Sequence, residues 1–217
     1  MEIKVMKRVL DRNQDKAEEI RHLLKEKNIR MYNLISSPGA GKTTLLEQTC
    51  RHLNGSLKVG IIEGDVYTDR DAQRLKQYGF PIVLINTEGG CHLDSNSIDG
   101  ALKEFDLDEM DVLFVENVGN LVCPSHFDLG ETAKVAVVST SEGDDKPIKY
   151  PMLFRDARAV ILNKIDLLEY TNFNYQAFMK DLRQVNPTVP LFETSCTRGE
   201  GLKGWFEWLG EEGASSE

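Results

Sequence analysis

Apolar positions along this chain change period as the sequence advances. Between Asn13 and Lys27, Ala17, Ile20, Leu23 and Leu24 recur at helical spacing with charges opposite. That pattern predicts an amphipathic helix with Asn13 as its N-cap. A short apolar run, Met31 to Ile35, follows and predicts a buried strand. Similar runs recur at Leu57 to Ile62, Pro81 to Ile85, Val112 to Val115, Ala133 to Val138, Ala157 to Leu162 and Val189 to Phe192. Helical patterns separate them: from Thr44 onward, near Asp69 to Tyr78, through Ile98, Ala101, Leu102 and Phe105, from Phe173 to Val185, and around Trp205, Phe206, Trp208 and Leu209. Apolar strands alternating with helices predict an α/β fold, a mostly parallel, doubly wound sheet covered by helices on both faces. The expected organisation is a helical extension over residues 1–30, one nucleotide-fold domain over 31–212 and a loose tail over 213–217.

The loop after the first strand carries the first chemistry. Ser36-Ser37-Pro38-Gly39-Ala40-Gly41-Lys42-Thr43 lies between a strand and a helix start, as a phosphate loop requires. Small residues let backbone N–H groups surround phosphate oxygens, and the helix N-terminus adds positive potential. Gly39, Ala40, Gly41, Lys42, Thr43 and Thr44 are the candidate phosphate-binding residues. Lys42 would reach the β- and γ-phosphates, and the Thr43 hydroxyl would hold Mg²⁺. Ser36 replaces the first glycine of the usual pattern.

A second loop reads the base. The strand ending at Leu162 delivers Asn163-Lys164-Ile165-Asp166. Guanine presents N1–H and an exocyclic amine side by side, and a carboxylate such as Asp166 accepts both. Adenine lacks that pair and would leave a buried Asp166 unsatisfied. Asn163 would meet the other base edge and the Lys164 stem would pack on the ring. Thr194-Ser195-Cys196, after the last strand, is a candidate backbone contact to the base.

Two acidic strand ends stand at the same predicted edge, Glu63-Gly64-Asp65 and Glu116-Asn117-Val118-Gly119. In doubly wound sheets that edge carries the ligand. Asp65 is assigned to the Mg²⁺ shell. Glu116 occupies the place where GTPases carry the Asp of Asp-x-x-Gly, and a carboxylate near Mg²⁺ suits it. Lys42, Asp65 and Glu116 form the candidate catalytic set. Asn120 follows the glycine where Ras-like enzymes place a water-orienting Gln, so intrinsic hydrolysis is expected to be slow.

Composition narrows the classes. A formal charge of −9 argues against a nucleic-acid partner. The apolar runs are too short for a membrane span, and the N-terminal residues carry no apolar signal segment, so a cytoplasmic location is expected. Four separated cysteines, Cys50, Cys91, Cys123 and Cys196, read as thiols in such a chain. Cys91-His92 and Cys123 offer thiolate and imidazole, donors that suit Ni²⁺ and Zn²⁺. Their spacing matches no standard zinc pattern, and a buried cysteine is ordinarily a small hydrophobe. Three donors also fall one short of a tetrahedral set. A two-fold dimer would supply six, or Asp94 or water would complete the site in one chain. Cys50 is expected in the core and Cys196 in a loop; His22, His52 and His126 read as surface or structural.

Assembled, these residues resemble the hydrogenase-maturation nickel GTPase family HypB, P-loop GTPases of the SIMIBI class. The carrying stretches are the phosphate loop, Glu63-Gly64-Asp65 with Thr68-Asp69-Arg70-Asp71-Ala72, Cys91-His92-Leu93-Asp94, Glu116 to Pro124, and Glu142 to Lys146 with Lys149-Tyr150-Pro151. The resemblance covers roughly residues 5 to 210. It implies GTP and GDP as ligands with Mg²⁺, and Ni²⁺ or Zn²⁺ bound by Cys91, His92 and Cys123 at the interface of a homodimer favoured by GTP. It also implies delivery of nickel to the hydrogenase large subunit, with a HypA-type metallochaperone as partner. Some members carry an N-terminal Cys-x-x-Cys-Gly-Cys motif or a histidine-rich stretch. Neither stands in the first 30 residues, so high-affinity N-terminal binding and nickel storage are not expected. Urease-maturation GTPases carry Cys-Pro-His; here Cys91-His92 and Cys123-Pro124 are separate, which favours the hydrogenase branch. The alternatives are a urease-type nickel GTPase, a P-loop kinase or ATPase with incidental cysteines, and a non-catalytic metal-binding protein on a nucleotide fold. The expected mechanism is a switch: nucleotide orders the Glu116 to Pro124 loop and thereby moves Cys123 against Cys91 and His92. Lys146 and Lys149 are expected in a loop as solvated charge.

Overall fold

A computed structural model describes residues 9–65 and 74–214 of the chain, with the side chains of residues 9, 65 and 212–214 excepted. Seven strands form one sheet: β1 (Arg30–Ser36), β2 (Val59–Asp65), β3 (Ile82–Asn86), β4 (Val112–Glu116), β5 (Ala133–Ser139), β6 (Ala157–Asn163) and β7 (Leu191–Thr194). Their order is β3-β2-β4-β1-β5-β6-β7 and every pairing is parallel. All strands therefore end at the same sheet edge. The sheet is the doubly wound one that the alternating pattern predicts, and the β4 side chains are buried throughout, as an inner strand covered on both faces must be.

Residue alternation in β1 divides the two faces. Tyr32 and Leu34 point to a layer with Leu45, Leu46 and Cys50 of α2 (Lys42–Leu53) and with Trp205 and Leu209 of α8 (Lys203–Ala214). Trp205 is fully buried, and its indole N–H donates to Thr49 Oγ1 at 2.9 Å, so its one polar atom is satisfied inside the core. Met31 and Ile35 point to the other face. Met31 meets Ile20 and Leu24 of α1 (Val9–Glu26) and Ile98 and Leu102 of α3 (Ser95–Leu102). Ile35 meets Leu153 and Phe154 of α6 (Pro151–Asp156), and Phe178 and Leu182 of α7 (Tyr175–Val185). Two further short helices, α4 (Cys123–His126) and α5 (Lys146–Lys149), complete the order.

Several local expectations are corrected. Asn13 is not an N-cap; it lies inside α1, because the helix starts by Val9 and its polar N-terminal turns remain helical. The Asn13 carboxamide donates to Asp128 O at 2.7 Å and accepts from Ser95 N at 2.8 Å. Thus α1 is tied to the sheet by apolar burial and by these bonds. Helix α8 continues through Gly213 and Ala214, two residues of the expected tail. Lys146 and Lys149 stand on α5, not in a loop. Lys149 pairs with Asp145 at 2.5 Å and Lys146 lies 5.6 Å over the Tyr150 ring. The expected helix near Asp69 to Tyr78 is described only from Arg74; its start, the Thr68 to Ala72 stretch and residues 215–217 lie outside the described residues. No helix of the described residues is long and apolar enough to cross a membrane.

Candidate functional site

The C-terminal ends of the seven strands share one edge. Between β1 and α2, the loop Ser37 to Gly41 turns back over the sheet. Gly39 and Gly41 hold φ of +77° and +103°, the left-handed region open to glycine. At Gly41 a side chain is also excluded by space, since a Cβ would lie 2.3 Å from Asn163 Nδ2. A cavity of about 520 Å³ opens against this loop, lined among others by Lys42, Thr43, Glu63, Glu116 and Gly119.

Within it, Lys42 Nζ donates to Ser36 Oγ at 2.8 Å, and Ser36 Oγ donates to Ser37 O at 2.6 Å. The serine that departs from the usual glycine thus orients the lysine. Thr43 Oγ1 donates to Glu116 Oε1 at 2.7 Å. Parallel register sets Glu63 of β2 beside Glu116 of β4, and both are buried. Glu63 is a residue that sequence reasoning passed over in favour of Asp65. Its signal was available: it lies on a strand that ends at the ligand edge. Arg74 was also missed. Its guanidinium reaches Thr44 Oγ1 at 3.2 Å and Glu47 Oε2 at 2.7 Å while lining the cavity. Asp65 closes β2, and its side chain lies outside the described residues.

The loop expected to read the base follows β6. Lys164 takes a left-handed φ of +61°, which swings its side chain over the phosphate loop, and Nζ donates to Gly39 O at 2.6 Å. Asn163 is almost fully buried and both ends of its carboxamide are engaged within the protein. Nδ2 donates to Ala40 O at 2.9 Å, while Oδ1 accepts from Cys196 N at 3.1 Å and Thr194 Oγ1 at 3.2 Å. Its side chain therefore fastens the phosphate loop to the loop after β7. Within the Thr194-Ser195-Cys196 stretch expected to offer a backbone contact to the base, the Cys196 N–H is used in this fastening. Cys196 is itself buried against the core rather than an open loop thiol, and burial pushes its thiol up to about 11. Asp166 is only 11% exposed through its side chain. Its Oδ1 is buried with no hydrogen-bond partner among the described residues, and Oδ2 faces Arg198 Nε at 3.6 Å. A buried carboxylate oxygen left open in this way is costly unless a ligand donor completes it.

The sulfur and imidazole donors come together next to the same edge. One ligand atom each from Cys91, His92 and Cys123 lies within 4.8 Å of the others. Cys91 and His92 sit in the loop before α3, not in its first turn, and Cys123 begins α4. Cys91 Sγ is 3.4 Å from His92 Nδ1. Donation of the Cys91 S–H to the Cys123 sulfur, aided by burial, raises the Cys91 thiol pKa, and burial lowers that of the His92 imidazole. His92 is held flat against Phe127, with ring centroids 3.8 Å apart. Asp94 does not join the set. It caps α3, accepting from Ser97 N at 2.8 Å and Ser97 Oγ at 2.6 Å, because an N-terminal N–H is its nearest unsatisfied donor. Cys91 is exposed, so the cluster opens outward. Cys50 lies in the core, as expected, and burial pushes its thiol up to about 12. His52 stacks on Phe206 at 4.0 Å, a structural role.

Asn120 has another use than the one its position suggests. Its Nδ2 donates to Cys91 O at 3.3 Å and its Oδ1 accepts from Val122 N at 2.9 Å. The carboxamide is spent between the two sulfur-bearing loops.

Residues 30–193 match the family described as CobW/HypB/UreG, nucleotide-binding domain. The hydrogenase maturation factor HypB of Escherichia coli (strain K12) is 47% identical over 201 residues, which cover 93% of this chain and 69% of that protein. Two crystal structures superpose closely. HypB from Helicobacter pylori in complex with nickel gives a TM-score of 0.88 at 37% identity, covering 94% of this chain and 96% of the other. The hydrogenase maturation factor HypB from Archaeoglobus fulgidus gives 0.87 at 36% identity, covering 93% and 98%. The chain belongs to the CobW/HypB/UreG nucleotide-binding family and, within it, to the HypB hydrogenase maturation factors.

Proposed function

We propose that this protein is a GTP-binding and GTP-hydrolysing metallochaperone that hands nickel to a maturing hydrogenase. One observation carries the reading: a single short segment serves both sites. Glu116 receives the Thr43 hydroxyl at the head of α2, and seven residues on, Cys123 stands with Cys91 and His92. Nucleotide state and metal geometry thus share one piece of backbone.

The roles follow from the chemistry of each group. Backbone N–H groups of Gly39 to Thr43 would surround the phosphates, and Lys42 would neutralise their charge. Asp166 Oδ1 would accept from guanine. Thr43, Glu116 and the neighbouring Glu63 are hard oxygen donors that fit Mg²⁺, with Asp65 the further carboxylate assigned to it. When bound, Mg²⁺ would screen the charge that develops on the phosphate oxygens. Cys91, His92 and Cys123 are the nickel donors, and the same soft set admits Zn²⁺. A second copy placed over the exposed Cys91 would double the donors and close the site. A homodimer favoured by GTP, a HypA-type metallochaperone and the hydrogenase large subunit, all in the cytoplasm, complete this reading.

The test measures Ni²⁺ affinity and solution mass of the protein alone, with GDP, and with a non-hydrolysable GTP analogue. The analogue is expected to shift the mass to that of a dimer and to change Ni²⁺ affinity by about 5- to 150-fold relative to GDP, the usual range for coupled sites. Equal affinity and a monomer mass in all three states would refute the switch.

Slow intrinsic turnover is a second expectation. The position after Gly119 holds Asn120, whose carboxamide is occupied at Cys91 O and Val122 N. With its carboxamide so held, Asn120 would not orient water. Single-turnover GTP cleavage by the isolated protein should run far below the range of about 1–100 s⁻¹ typical of kinases; rates within that range would contradict the assignment.

A further inference from the structure

We propose that Asn117, with Asn120 as an outer clasp, is the positioning residue that carries nucleotide occupancy to the nickel ligands. The inference rests on the nucleotide-gated reading above and names the bonds through which it works. Asn117 is buried at the end of β4, and its backbone N–H donates to Leu34 O of β1 at 3.1 Å. Its side-chain Oδ1 accepts from Val118 N at 2.9 Å and, across the molecule, from Leu93 N at 3.2 Å. Leu93 directly follows His92. Asn120 meanwhile holds the carbonyl of Cys91. The tripeptide Cys91-His92-Leu93 is therefore gripped at both ends by two carboxamides of the opposite loop, one on its last N–H and one on its first C=O.

The other side of that loop lies on the phosphate cavity. Val118 and Gly119 line it, and Gly119 packs so closely that a Cβ there would fall 3.0 Å from Pro38 Cγ of the phosphate loop. Any shift of this backbone on arrival or loss of a γ-phosphate must move the Asn117 carboxamide or break its bond to Leu93. The Asn117 Nδ2 donates to Asn33 Oδ1 at 3.1 Å, and Asn33 Nδ2 donates to the buried Glu131 Oε1 at 3.2 Å. That buried chain holds the amide plane fixed in the β1 frame, so displacement has two discrete outcomes rather than a slack response.

The experiment titrates Ni²⁺ into the full chain saturated with GDP and with the non-hydrolysable GTP analogue, and takes the ratio of the two affinities. Asn117→Ala is expected to bring the ratio to within about twofold of one, and Asn120→Ala to reduce it by at least about threefold, against the 5- to 150-fold usual for coupled sites. A merely structural role would weaken Ni²⁺ equally in both states and leave the ratio intact. Asn120 is half-buried, so its variant decides the matter even if the buried Asn117→Ala chain fails to fold. A wild-type ratio preserved in either folded variant overturns the inference alone. A wild-type ratio of one overturns the gating reading, and this inference with it.

Discussion

Asp166→Asn is expected to abolish the preference for GTP over ATP, a loss of up to about 10⁴-fold in the affinity ratio. The wild-type carboxylate is held with little exposure at the end of β6, and Oδ1 is buried without a partner among the described residues. Guanine would supply the N–H donor that this oxygen lacks; adenine would leave the cost unrelieved. The substitution turns one acceptor into a donor and sets it against the guanine N–H groups. A purine with a carbonyl at C2 would then fit better than guanine, so xanthosine triphosphate should gain as GTP loses. Competition binding of GTP, ATP and xanthosine triphosphate to both proteins checks this. An unchanged GTP-to-ATP ratio in a folded variant would remove Asp166 from base recognition.

Cys123→Ala is expected to lower Ni²⁺ affinity by more than about 100-fold, since loss of an outer-shell partner alone commonly costs 10- to 100-fold. Cys50→Ala should leave the affinity unchanged, because that thiol is sealed in the core and pushed up to about 12 by burial. Affinity of the wild type should also fall as pH is lowered, since each thiol must release its proton to bind, and the raised Cys91 thiol holds its proton firmly. Direct Ni²⁺ titration of the three proteins settles both points. Equal affinity in Cys123→Ala and wild type would dissolve the proposed cluster.

How far the residues alone reach can be judged from particular places. The sheet was legible because buried parallel strands write themselves as apolar runs, and Met31 to Ile35 followed by Gly39-x-Gly41-Lys42-Thr43 is a local signal complete within one stretch of chain. Asn163-Lys164-Ile165-Asp166 is a local signal of the same kind, but the fastening its first residue performs is not marked locally. Asn163 bonds to Ala40 and Cys196, partners 123 and 33 residues away, and nothing local marks them. Asn13 shows the limit from the other side. Its side chain suits a cap by propensity, but a helix that continues on its N-terminal side leaves it free to bridge Ser95 and Asp128 instead.

The sequence by itself determined the order of the strands and of the longer helices, pointed to the loops proposed for phosphate and base, and named the donor types offered to a metal. Those depend on period, residue chemistry and neighbours close in the chain. Only the tertiary structure decided that Cys91, His92 and Cys123 meet, that Glu63 stands beside Glu116, and that Asn117 reaches Leu93. Each of those is a contact between strand ends or loops far apart in the chain, created by parallel register and by the crossing of helices over the sheet, and pattern along one dimension does not encode which loops become neighbours in three.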